Sequence, residues 1–213
     1  MDVKPSKTGR IVDALRGFYG PDAFRIEVSD PYRALVGCIL SQRTKDANST
    51  KAAEALFSVA DTPEGILNLD ENRLRQLIRP SGFYNQKARH IIGASRQIVE
   101  RFHGETPRTR DELMSLPGVG EKTASIVLSY GFGEPAIAVD VHIHRVARRL
   151  GLARAEAKPE EVKHALEGDL PPSEWNYADG ALLQLGKDFC RPRKPACGRC
   201  PAKKMCEYQD KKS

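Results

Sequence analysis

Four cysteines crowd into 17 residues near the end of the chain, Cys190, Cys197, Cys200 and Cys206, spaced C-x6-C-x2-C-x5-C. The fifth, Cys38, stands alone in an apolar run, and an odd total clustered this way argues against a disulfide framework. Four thiolates can hold a tetrahedral zinc ion or a cubane iron–sulfur cluster. Zinc sites are usually built from two C-x2-C hooks, and only one such pair occurs here. Two further residues have the types for bond-breaking chemistry. An amine becomes a nucleophile when its surroundings lower its pKa, and Lys122 lies at an expected helix start, where the helix dipole and partial desolvation push that way. Asp140 follows the small apolar run Ala136-Ile137-Ala138-Val139 and precedes the helical segment Val141 to Leu150. Its carboxylate can cap that helix and can stabilise positive charge growing in a transition state.

These residues need rigid elements to position them. Just ahead of Lys122 stands Leu116-Pro117-Gly118-Val119-Gly120, between a helix ending near Leu116 and another beginning near Gly120. Its glycines allow positive φ and close approach of another backbone, while Val119 can pack inward. The amides opening the next helix then face outward and can receive a phosphate, a contact blind to base sequence. Elsewhere nearly every periodic segment has the helical period, so the class is all-α. Ile11, Leu15 and Phe18 form one stripe; Asp30-Pro31 starts a helix through Leu40, and Thr62-Pro63-Glu64 repeats the signal. Asp70 opens a short helix closed by Pro80-Ser81-Gly82, and a longer one runs from about Tyr84 to Phe102, closed by His103-Gly104. Thr109 with Glu112 is a capping box, and later helices cover Glu121 to Tyr130, Val141 to Leu150, Pro159 to Leu166 and Ser173 to Leu185.

Composition narrows the function class. The chain has 213 residues, 40% hydrophobic and 29% charged, with a formal charge of +6. From Lys187 to Ser213 nine Lys or Arg face three acidic residues, Asp188, Glu207 and Asp210, an excess equal to that of the whole chain. A basic tail that overlaps a metal cluster reads as a rigid patch facing phosphates. The longest apolar stretch, Ala34 to Leu40, is far below the roughly 20 residues that span a bilayer. The N-terminus lacks the apolar core of a secretory signal, so the expectation is an intracellular protein without a membrane span.

Taken in order, Leu116-Pro117-Gly118-Val119-Gly120, Lys122-Thr123-Ala124, Val139-Asp140 with His142, and the four cysteines resemble the endonuclease III family of DNA glycosylases, in the helix-hairpin-helix superfamily. The likeness runs from about Ile11 to Tyr208. It implies a bifunctional enzyme that removes oxidised pyrimidines from DNA and nicks the abasic site. Lys122 would be the Schiff-base nucleophile, and Asp140 would assist its deprotonation and stabilise the sugar cation. The strand would then be cut by β-elimination 3′ to the lesion. The resemblance selects a [4Fe-4S] cluster on the four cysteines, with Arg191, Arg193 and Lys194 as a phosphate clamp on the loop it supports. Gly118, Val119 and Gly120 would meet DNA, and His142 would support the site.

In this family a glutamine after a helix enters the duplex, within a stretch like S-x-Q-x-T-D. Here the segment is Ser41-Gln42-Arg43-Thr44-Lys45-Asp46, so Arg43 occupies the glutamine's place and Gln42 stands one residue early. Phe83, in Gly82-Phe83-Tyr84-Asn85, is a second wedge candidate and equally a core candidate. The Arg43 departure keeps a mismatch glycosylase alive as a rival, and a weakly catalytic damage-binding protein on the same scaffold is the rival of a different class. The resemblance further implies two helical lobes flanking a DNA-binding cleft. One is a six-helix barrel over residues 24–135 carrying the hairpin; the other joins 1–23 to 136–213 and carries the cluster. The expected partner is double-stranded DNA with damaged or abasic nucleotides, bound by a monomer, in the nucleoid-containing cytoplasm if the cell is bacterial or archaeal.

Overall fold

The computed structural model of the chain describes residues 6–208; Asp210, Lys211 and Lys212 of the basic tail lie outside that range. Every regular element among the described residues is helical. The chain divides into two compact units, Glu27–Glu134 and the pair Met1–Ile26 with Pro135–Ser213. Among the described residues no helix is long and apolar enough to cross a membrane.

The continuous unit holds α2 (Pro31–Ser41), α3 (Asp46–Phe57), α4 (Pro63–Leu67), α5 (Glu71–Ile78), α6 (Tyr84–Phe102), α7 (Arg110–Ser115) and α8 (Glu121–Ile126). Short polar side chains start most of them. The Asp30 carboxylate accepts from the Arg33 amide at 2.8 Å ahead of Pro31, and Thr62 and Asp70 cap α4 and α5 in the same way. Leu35, Ile39 and Leu40 of α2 and Ile91 and Ile98 of α6 are fully buried, so these helices bury one apolar face each. At the end of α6, His103 and Gly104 both take positive φ, and the Gly104 amide donates to Ile98 O. Thr109 caps α7 as expected, but the reciprocal half of the capping box differs: the Glu112 carboxylate accepts from the Thr109 hydroxyl at 2.6 Å.

The helix expected over Glu121 to Tyr130 is interrupted. After Ile126 the backbone widens into a π-turn over Val127–Gly131. A Cβ on Gly131 would lie 2.8 Å from Pro31 Cα, and the Ser29 amide donates to Tyr130 O at 2.7 Å. The π-turn therefore seats the end of this segment against the start of α2, a long-range contact that helical periodicity does not report.

The discontinuous unit is built from α1 (Lys7–Tyr19), α9 (Val141–Leu150), α10 (Pro159–Asp169) and α11 (Pro172–Asp188), followed by two short 3-10 turns, Cys197–Arg199 and Lys203–Met205. Its core joins Ile11 and Leu15 of α1 to Val146, Leu166, Leu182 and Ile137. Phe18, expected on the buried stripe of α1, is 53% exposed and stacks edge-on against Tyr19 and Phe189. α10 extends to Asp169, whose carboxylate accepts from the Thr8 hydroxyl at 2.5 Å and so ties α10 to α1.

Candidate functional site

In the continuous unit, the turn after α7 delivers Lys122 on the first turn of α8. Gly118 has φ +81, and a Cβ there would lie within 2.8 Å of three His90 atoms, so both its backbone angle and its neighbour call for glycine. Gly120 does not have the positive φ expected of it: at φ −110 and ψ −179 it is extended, a shape any residue adopts. Val119 is 9% exposed and packs inward, so only the backbone of this residue is available to a ligand. His90, under the hairpin, has a buried Nδ1 without a hydrogen-bond partner among the described residues.

Lys122 lines a cavity of about 530 Å³ together with Cys38, Gln42, Arg43, Phe83 and His90. It is an exposed side chain, so the partial desolvation expected of it is not supplied by packing in this protein. Burial pushes the Cys38 thiol up to about 12, and the positive charge of Lys122 offsets that only in part.

Gln42 and Arg43, adjacent in sequence, have different surroundings. The Gln42 side-chain amide donates to Gly118 O at 2.9 Å and ties the end of α2 to the hairpin. Arg43, next in the chain, is exposed and takes φ +53. Phe83 is 62% exposed with φ +46, which closes the core alternative for this residue. A residue overlooked in the sequence lies between them. Lys87 is 3% exposed, and its ammonium donates to Leu40 O at 2.6 Å, Thr44 Oγ1 at 2.7 Å and Ser81 O at 2.8 Å. Burial lowers its pKa from the ordinary lysine value to about 8. A lysine in the first turn of an amphipathic helix gives no sequence signal of burial, because two of its three acceptors, Leu40 O and Thr44 Oγ1, come from a segment far away in the chain.

In the discontinuous unit, Asp140 caps α9: its Oδ1 accepts from the amides of His142 and Ile143, each at 2.8 Å. Its other oxygen, Oδ2, takes no part in the cap. The backbone just before it is held by α11, since the Asn176 side chain accepts from the Ala136 amide and Asp179 from the Ala138 amide. His142 Nδ1 lies 3.1 Å from Arg145 Nη2, and Arg145 also donates to Gly186 O and, at 2.7 Å, to Cys190 O. The first turn of α9 is thereby joined to the first cysteine.

All four clustered cysteines line one cavity with Leu150, Leu185 and Phe189, and none is in a disulfide. Arg149 braces the loop between them, donating to Arg191 O at 2.8 Å and Pro192 O at 3.2 Å, while the Cys206 thiol donates to Arg149 O. Burial raises the Cys200 thiol; the Ala202 amide opposes this and the other three cysteines reinforce it. Among the described residues no three His, Cys, Asp or Glu are gathered as a single metal ion requires. Four thiols outside any disulfide, around one apolar-walled cavity, nevertheless fit a thiolate-ligated group larger than one ion. Arg191, Arg193 and Lys194 are exposed on the loop between the first two cysteines.

Residues 36–172 match the HhH-GPD superfamily base excision DNA repair protein family. The endonuclease III of Thermotoga maritima is 43% identical over 180 residues, covering 84% of each chain. A trapped endonuclease III–DNA covalent intermediate superposes with TM-score 0.87 at 35% identity over 97% of both chains. A thermostable thymine-DNA glycosylase follows with TM-score 0.82 at 26% identity, over 95% of this chain and 96% of that one.

Proposed function

The chain belongs to the endonuclease III family, within the HhH-GPD superfamily of base excision DNA repair proteins, and from that premise we propose that it is a bifunctional DNA glycosylase and abasic-site lyase acting on oxidised pyrimidines in double-stranded DNA. The observation that supports this reading best is that Lys122 lines one cavity with Arg43 and Phe83, a nucleophile beside two exposed side chains suited to entering a duplex.

Lys122 attacks C1′ of the damaged nucleotide. The new carbon–nitrogen bond forms as the glycosidic bond breaks, and the base departs with its electron pair and takes up a proton. Asp140, whose Oδ1 is engaged in the cap of α9, would take the proton from the attacking amine and stabilise positive charge on the sugar. The nitrogen lone pair then closes a C1′=N double bond as the C1′–O4′ bond breaks, O4′ taking up a proton as the sugar ring opens; the resulting protonated Schiff base acidifies the 2′ carbon, loss of that proton expels the 3′ phosphate and nicks the strand, and water then frees the lysine.

Phosphate contacts fall to the backbone around Gly118, Val119 and Gly120 and to the side chains of Arg191, Arg193 and Lys194. Cys190, Cys197, Cys200 and Cys206 would hold a [4Fe-4S] cluster. When bound, the cluster cross-links a tail with little apolar content and fixes the shape of the basic loop. His142 supports the site through Arg145. The protein acts as a monomer on DNA containing damaged or abasic nucleotides.

Arg43 at the position of the family's glutamine favours a second reading, a mismatch-specific glycosylase, and the thymine-DNA glycosylase likeness fits it. Borohydride trapping separates these possibilities. Wild-type protein should form a covalent adduct with duplexes carrying an abasic site or an oxidised pyrimidine, and Lys122→Ala should not. Base release from a G·T duplex without any adduct would instead establish the mismatch reading.

A further inference from the structure

Lys87 has no part in the chemistry above, yet its placement is unusual. The equally buried Lys163 faces Glu167 at 3.6 Å. Lys87 has no carboxylate partner among the described residues; its three protons go to two neutral carbonyls and a hydroxyl. Burying a charge without an opposite charge opposes folding, so stability alone does not account for an ammonium here. Its acceptors have something in common. Leu40 O and Thr44 Oγ1 belong to the end of α2 and the turn after it, and Ser81 O belongs to the 3-10 turn Arg79–Ser81. Thr44 extends the link, donating to Gln42 O at 3.1 Å and to Ser81 O. Each of the two turns leads to one exposed non-glycine residue in the left-handed region, Arg43 at φ +53 and Phe83 at φ +46. Such conformations persist only where surrounding bonds over-determine them.

We infer that Lys87 is a positioning residue whose ammonium locks the Gln42–Thr44 turn to the Arg79–Phe83 turn, presenting Arg43 and Phe83 together for entry into the duplex. The inference rests on the reading that these two side chains enter DNA. It extends that reading by making the pair a single unit, set by one buried cation rather than by two independent loops.

The test uses full-length, metal-loaded protein and a duplex bearing a tetrahydrofuran abasic analogue opposite 2-aminopurine, whose fluorescence rises on unstacking. Lys87→Met removes the charge at similar volume, and Thr44→Val removes the bridging hydroxyl. Wild type should unstack the probe. The variants should keep the helical circular dichroism of wild type but lose unstacking by about tenfold, the scale of one charge-assisted hydrogen bond. Borohydride adducts on single-stranded abasic DNA, where no duplex is entered, should fall much less. Folded variants that unstack the probe as wild type does would overturn the role of Lys87. A loss equal on duplex and single strand would overturn it too, since general damage would then explain both. Should Lys87→Met fail to fold, Thr44→Val decides by the same criteria. Wild type that traps abasic DNA yet never unstacks the probe would overturn the duplex-entry reading itself.

Discussion

Asp140 caps α9 through Oδ1, and the proposed mechanism gives its carboxylate a second duty; the two can be pulled apart. Asn is as good an N-cap as Asp, whereas Ala is not. Asp140→Asn should therefore melt within a few tenths of a kcal/mol of wild type while losing base excision, and Asp140→Ala should lose about 1 kcal/mol as well. Thermal melting beside a glycosylase assay checks both, and a fully active Asp140→Asn would remove the carboxylate from the mechanism. Lys87 gives a pH signature. Its folded-state pKa of about 8 lies below the ordinary value of 10.5, so between these the folded protein binds fewer protons than the unfolded chain. Its contribution to stability accordingly rises with pH across that window, while its clamp loses a donor. The melting temperature of wild type should rise relative to that of Lys87→Met as pH rises through about 8, and wild-type probe unstacking should fall over the same range. Of the other ionisable groups lining the cavity, Cys38 keeps its proton to about 12, and Arg43, His90 and Lys122 complete the set.

The hairpin shows how far a motif can be read as an element. Leu116 to Gly120 announced a turn between two helices, and its position directly ahead of Lys122 was legible from spacing alone. The different duties of its two glycines were not, because they depend on His90, a residue of α6. Gly118→Ala should cost about 2 kcal/mol through left-handed strain and the His90 clash, read by denaturant unfolding. Gly120→Ala meets nothing within 4 Å, and as a change at the N-cap of α8 should cost no more than about 1 kcal/mol. Any loss of DNA affinity in Gly120→Ala therefore reports close approach of a phosphate rather than damage to the turn. The helix over Glu121 to Tyr130 was legible as apolar periodicity, but the π-turn at its end was not, since it answers to Pro31 and Ser29 across the unit.

The formal charge of the chain equals that of its last 27 residues, and the part of this tail that the structure describes wraps the cysteines. Replacing Arg191, Arg193 or Lys194 singly by Ala should weaken binding to all duplexes alike and lower the salt slope of log K by about 1 each. Cys197→Ser should abolish iron binding, measured by metal analysis and visible absorbance, and weaken DNA binding by releasing the same loop; one zinc per chain in wild type would overturn the cluster assignment. The sequence by itself determined the helical class, most helix starts and the four thiols, because caps, period and spacing are local properties of the chain. Only the tertiary structure decided that Gln42 braces the hairpin while Arg43 is left exposed, that Phe83 stays out of the core and that Lys87 is buried without a counter-ion among the described residues. Those outcomes depend on which distant carbonyls and side chains come within hydrogen-bonding reach, and no local pattern encodes that distance.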